Sequence, residues 1–130
     1  MRIRVKKIFC SNPDTIICFS TDFGSARALW TGWNGDTPKK NHVYDVEVDI
    51  LQTLEWGVDI VEADGRKYSI IEKNSIIFIS GLIDSIDEDG YVVLRIGDYI
   101  IPFIATGIPL KVGTFVTLAT KSISLTAFEY

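Results

Sequence analysis

At 130 residues, with 47% apolar and 23% charged side chains, the chain can bury a real core but holds at most one domain, or two very small ones sharing that core. A net charge of −4 and a pI near 4.9 weigh against a phosphate-gripping surface, because nucleic-acid binders carry a basic field. Isoleucine, valine, threonine and aromatics outweigh alanine, glutamate and lysine, the composition of pleated, half-buried surfaces, so the chain is expected to be all-β.

Met1-Arg-Ile-Arg-Val-Lys-Lys7 alternates charged and apolar side chains and lacks the continuous apolar run of a signal peptide. No later segment reaches the roughly 18 apolar residues of a membrane span, and a cytoplasmic location is expected. The first strand is Arg2 to Phe9, with Met1, Ile3 and Val5 on one face and Arg2, Arg4 and Lys6 on the other. A turn at Asn12-Pro13-Asp14 leads to Thr15 to Ser20, and Phe23-Gly24-Ser25 turns the chain into Ala26 to Thr31. The polar loop from Gly32 to Asn41 precedes a fourth strand. There Tyr44, Val46, Val48 and Ile50 share one face, and Asp45, Glu47 and Asp49 the other. Leu54 to Glu62 follows, then the hairpin dipeptide Asp64-Gly65 and a return strand from Lys67 to Ile71. Glu72 to Ser75 reads as a polar connector.

Cys10 and Cys18 are the only cysteines. With Ser11 to Asp14 as a hairpin loop, Cys10 stands opposite Thr15 and Cys18 opposite Lys7. At about 3.3 Å per residue the thiols are then about 10 Å apart, too far for a disulfide, and both are expected to be reduced core thiols. Two cysteines and His42 are too few for a structural zinc site, so no metal is expected.

Further strands are predicted at Ile76 to Asp84, Tyr91 to Ile96, Tyr99 to Ala105, Thr114 to Lys121 and Ser122 to Phe128. Asp14-Thr-Ile-Ile-Cys-Phe19 lies 75 positions before Asp89-Gly-Tyr-Val-Val-Leu94, and Ala26 to Gly32 lies 75 before Ile101 to Gly107. After a short contraction Pro38 aligns with Pro109. A duplication is expected, with chance similarity of two meanders as the alternative.

Each half reads as three meandering strands, a connection and two more strands. In Gly81, the Asp89-Gly90 turn, Val112-Gly-Thr-Phe-Val-Thr-Leu118 and the Ile123/Leu125 strand, the second half resembles OB-fold domains over about 55 residues. The resemblance is architectural. It implies an all-β protein of two OB-like five-stranded Greek-key units in tandem, residues 1–73 and 76–130, packed as one body; a single β-sandwich is the alternative. Strand one pairs with strand four in that order, so Arg2, Arg4 and Lys6 are expected to face Asp45, Glu47 and Asp49.

Catalytic machinery is sparse. His42 has no nearby nucleophile, and no Gly-rich phosphate loop, nucleophile elbow or zinc-protease helix is present. Paired carboxylates remain the single enzymatic route, an enzyme is not expected, and no cofactor is implied. Asp84 to Gly90 lacks calcium-loop spacing and reads as a solvated turn. Phe23, Arg27, Trp30 and Trp33 cluster around the third strand, where OB-folds bind oligonucleotides and oligosaccharides on aromatic platforms. Trp30 and Trp56 also suit a core, whereas Trp33 sits in a polar loop. The expected function is a non-catalytic module for another protein, similar in type to small bacterial immunity and adaptor proteins, with Phe23, Trp33 and Tyr44 as contacts. The alternative is single-stranded nucleic acid or oligosaccharide on the strand two and three face of the first unit. Self-association through the second unit, apolar on both sides of Ile76 to Ile83, is a further option.

Overall fold

The computed structural model describes residues 1–11, 14–31 and 37–128, with the main chain alone at 10 and 11. Among them are twelve strands and no helix: β1 (Arg2–Ser11), β2 (Asp14–Thr21), β3 (Gly24–Thr31), β4 (Val43–Ile50), β5 (Leu54–Glu55), β6 (Ile60–Glu62), β7 (Ser69–Lys73), β8 (Ile76–Ile86), β9 (Tyr91–Ile96), β10 (Tyr99–Thr106), β11 (Phe115–Thr120) and β12 (Ile123–Ala127). The composition that favours pleated surfaces therefore gives an all-β chain.

Five strands close a barrel. β1 pairs antiparallel with β2, β2 with β3, β12 with β4 and β4 with β1, while β3 runs parallel to β12. This order is compatible with an OB-like barrel. Two separate facing sheets, as in a sandwich, would not close in this way. Alternation fills the interior: Ile3, Val5, Ile17, Phe19, Val46, Val48 and Leu125 are buried. The small Ala26 and Ala28 stand opposite the larger Phe19 and Ile17 across β2 and β3. The closing strand is a correction to the sequence reading, which drew every strand of this barrel from residues 1–73. The chain instead returns from its far end, because Ile123 and Leu125 offer two fully buried side chains on one strand.

The strands from β8 onward repeat these pairings at fixed displacements. Adding 75 to the β2–β3 partners Ile16 and Leu29 gives the β9–β10 partners Tyr91 and Ile104, and the other five pairs of that ladder follow the same shift. Adding 78 to β1 converts Val5↔Phe19 and Lys7↔Cys18 into Ile83↔Leu94 and Ser85↔Val93, and both ladders carry a bulge at that step. β8 pairs with β11 as β1 pairs with β4. Parallel to β10 runs β5, with Leu54 opposite Ala105, at the place where β12 puts Leu125 opposite Trp30. β6 then pairs antiparallel with β11.

Two crossovers thus pass each other, β4 to β5 and β11 to β12. Gln52 in the first ties down the second: its Oε1 accepts from Lys121 N at 2.9 Å and from Thr120 Oγ1 at 3.2 Å. β7 adds a third link, antiparallel to β8 and parallel to the start of β3 at Gly24 and Ser25. Gly24 is obligatory there, with φ +141° and its would-be Cβ in collision with the Ile70 carbonyl oxygen.

Candidate functional site

Of the expected site residues that are described, Trp30 and Tyr44 pack together, whereas Phe23 and Arg27 each lie elsewhere. Phe23 is half-buried at the β2–β3 turn, edge-on to Tyr68 at 6.1 Å and to Tyr99 at 6.4 Å between ring centroids. A Cβ on Gly97 would meet the Phe23 ring, so this phenyl seats on the β9–β10 turn. Trp30 shares strand parity with the buried Ala26 and Ala28 and packs against the core, edge-on to Tyr44 at 5.0 Å. Arg27, three positions earlier on the strand, stands on the opposite face. Trp33 lies outside the described residues. The outer face of β2 and β3 consequently offers Ile16, Cys18 and Ser20 opposite Leu29, Arg27 and Ser25, none of them aromatic.

Arg27 is engaged in joining strands. Its main-chain N–H donates to Glu72 Oε1 at 2.9 Å and its Nε to Oε2 at 2.8 Å, so one carboxylate brackets β3 against β7. Sequence reasoning passed over Glu72 as part of a connector. The connector is in fact the end of β7 plus a tight turn, with Asn74 and Ser75 at φ 53° and 65°.

Other charges are also used locally. Asp87 Oδ1 accepts from the N–H groups of Asp89 and Tyr91, each at 2.8 Å, and Asp84 pairs with Arg95 at 3.0 Å. Of the two charged rows, Arg2 meets Asp45 at 3.3 Å, but Arg4 donates to the Asn41 carbonyl. Glu47 and Asp49 lie past the end of β1 and face Thr126 and Ser124 on β12. Cys10 stands opposite Thr15 and Cys18 opposite Lys7, as the hairpin register requires; Cys18 is a free, half-buried thiol. Trp56 is buried at 8% exposure. His42 is exposed and stacks on Tyr44 at 6.5 Å.

Exposed apolar side chains occur in both halves, among them Phe9, Val43, Leu51 and Ile71 in the first, and several neighbour one another on β9 and β10. On β9 and β10 the outer cross-strand pairs are Tyr91 with Ile104, Val93 with Pro102 and Arg95 with Ile100. Tyr91 and Ile104 are 49% and 48% exposed, and Ile108, just beyond β10, reaches 90%. Val58 and Val112 are also exposed. On β8, whose apolar pattern runs on both sides, Ile76, Phe78 and Leu82 are half-covered. Among the described residues no helix is long and apolar enough to cross a membrane, and no three His, Cys, Asp or Glu side chains are grouped to hold a metal ion. No family model, no curated protein and no solved structure compared with the chain matches it.

Proposed function

We propose that the chain is a duplicated OB-like unit whose two copies have exchanged their fifth strands, and that it acts as a non-catalytic module binding another protein through the outer face of β9 and β10. The duplication draws its support from the shared registers, down to the matched bulges at Val5/Lys7 and Ile83/Ser85. The exchange draws its support from Leu54 and Leu125, which occupy corresponding places in each other's half.

The observation that carries the functional reading is the exposed Tyr91/Ile104 pair beside the half-buried Val93/Pro102 pair on one face, with the exposed Ile108 beyond it. Contiguous exposed apolar side chains, with an aromatic among them and polar residues around, characterise protein-interaction surfaces. The corresponding pairs of the first half are Ile16 with Leu29, both half-buried, Cys18 with Arg27, and Ser20 with Ser25. Affinity capture from cell extract, comparing the native chain with Tyr91→Ser/Ile104→Ser, tests the reading. The expected result is at least one protein lost from the variant's captures. Identical captures would remove this face as the binding surface.

A further inference from the structure

Beside that face, a groove of about 490 Å³ lies between β6 and the segment that follows β10, lined by Trp56, Ile60, Val61, Ile108 and Leu110. The charged residues in its lining are Glu55 and Glu62, both exposed. Among the described residues neither carboxylate has an ion pair or a hydrogen bond. The groove is apolar with an acidic rim, in a chain of net charge −4.

One wall is the edge of β6, which a bridge from Trp56 closes at Ile60 and which, among the described residues, stays open at Glu62. β6 pairs with β11 on one side. The bonds from Ala119 N to the Asp59 carbonyl at 2.8 Å and from Ala63 N to the Phe115 carbonyl at 2.9 Å set the alternation of this ladder. Antiparallel geometry then makes Val61 the next bonded residue and turns the main-chain groups of Ile60 and Glu62 away from β11. The Ile60 carbonyl accepts from Gly57 N at 2.8 Å. Among the described residues the main chain of Glu62 has no strand on its far side, and unpaired strand groups are a template for an added strand.

We infer that this groove takes an extended segment of a partner protein in which an apolar side chain is flanked by lysine or arginine, added along β6. Main-chain hydrogen bonds to Glu62 supply register, the apolar side chain fills the space beside Ile108 and Leu110, and the flanking cations reach the rim at Glu55 and Glu62. The inference rests on the protein-binding reading and names the class of segment bound.

Fluorescence anisotropy with three labelled, end-capped peptides tests it: alternating lysine and valine, alternating glutamate and valine, and alternating lysine and serine. The lysine–valine peptide is expected to bind, with both others weaker by about tenfold or more, since rim charges select partners by sign. Glu55→Gln/Glu62→Gln is expected to weaken the lysine–valine peptide by about tenfold, and Ile108→Ser by about threefold. Exposed sites such as these leave folding intact, and an unchanged urea midpoint verifies that. Equal binding of the two valine peptides, equal binding of the two lysine peptides, no binding, or native-like binding by the Glu variant would each overturn the inference. So would concentration-dependent sedimentation abolished by Ile108→Ser, which would make the occupant a second copy of this chain. If these fail while Tyr91→Ser/Ile104→Ser still loses a captured protein, the segment class is wrong and the binding module stands.

Discussion

The two segments that occupy the fifth-strand places differ in continuity. β12 runs unbroken from Ile123 to Ala127, with β3 on one edge and β4 on the other. Its counterpart is split: Leu54 and Leu125 correspond at a separation of 71 residues, yet the next matched pair, Ile60 and Ala127, is separated by 67. The four additional residues form the turn around Gly57, Val58 and Asp59, where Glu55 N donates to Asp59 Oδ2 and Gly57 N to the Ile60 carbonyl. Leu54 and Ile60, on either side of this turn, are both fully buried, and beyond the turn the main chain of Glu62 is left without a partner strand on its far side among the described residues. Pairing is common to the two halves, and what separates them is which edges and faces stay uncovered.

The most severe test removes β12. In a chain ending at Lys121, Ile123, Leu125 and Ala127 are missing from the core of a barrel built otherwise from β1 to β4. Amides of Ile17 and Phe19, far away in sequence, are expected to lose hydrogen-exchange protection to the level of fraying segments. Protection retained at Phe19 would mean that the first four strands stand without β12, and the exchange would have no structural weight. Next in size is Gly24→Ala. Its Cβ would fall on the Ile70 carbonyl in a left-handed backbone conformation, and a loss of about 3 kcal/mol is expected in urea unfolding. The corresponding position in the later ladder is Tyr99, where β10 starts without a strand like β7 beside it, and a bulky side chain is accommodated.

Much of the local structure was legible. The hairpin that places Cys10 opposite Thr15 follows from turn residues and period-two alternation, and the displacement of 75 carries over to every β9–β10 pair. The destination of the fifth strands was not legible. Alternation in Leu54 to Glu62 and in Ile123 to Ala127 says that each has a buried face, but nothing local says which barrel it completes. Strand order depends on non-local pairing, which local alternation does not encode. The dispersal of Phe23, Arg27 and Trp30 had a signal that nearness in sequence obscured. Positions 27 and 30 differ by an odd number, so on a strand they take opposite faces. The charged rows failed for register: Arg2 meets Asp45, and β1 has no residue to offer Glu47.

A smaller effect is expected at the bracket between β3 and β7. Glu72→Ala removes both bonds to Arg27 and strips the Arg27 N–H of its acceptor, at a cost of about 1–2 kcal/mol in urea unfolding. The pair is part-exposed, which keeps the charge contribution modest. A double-mutant cycle with Arg27→Ala should show coupling, because the side-chain bond disappears only once; strictly additive effects would assign Glu72 a role in packing instead.

The smallest expected change is a gain, and it falls on the strand without a counterpart in the other half. β7 turns into β8 through Asn74 and Ser75, both left-handed, at φ 53° and 65°. Asparagine tolerates that conformation; serine carries a Cβ that it disfavours, whereas the tight hairpin turn of this type prefers glycine in the second place. Ser75→Gly should therefore stabilise the chain by about 0.5 kcal/mol, the relief of left-handed strain being partly offset by the greater freedom of glycine in the unfolded state. Chemical denaturation of native and variant chains measures it as a raised midpoint with unchanged slope. A lowered midpoint would show that the serine hydroxyl supports the turn by more than its backbone costs, and that the β7 link is held by side-chain contacts rather than by the hairpin.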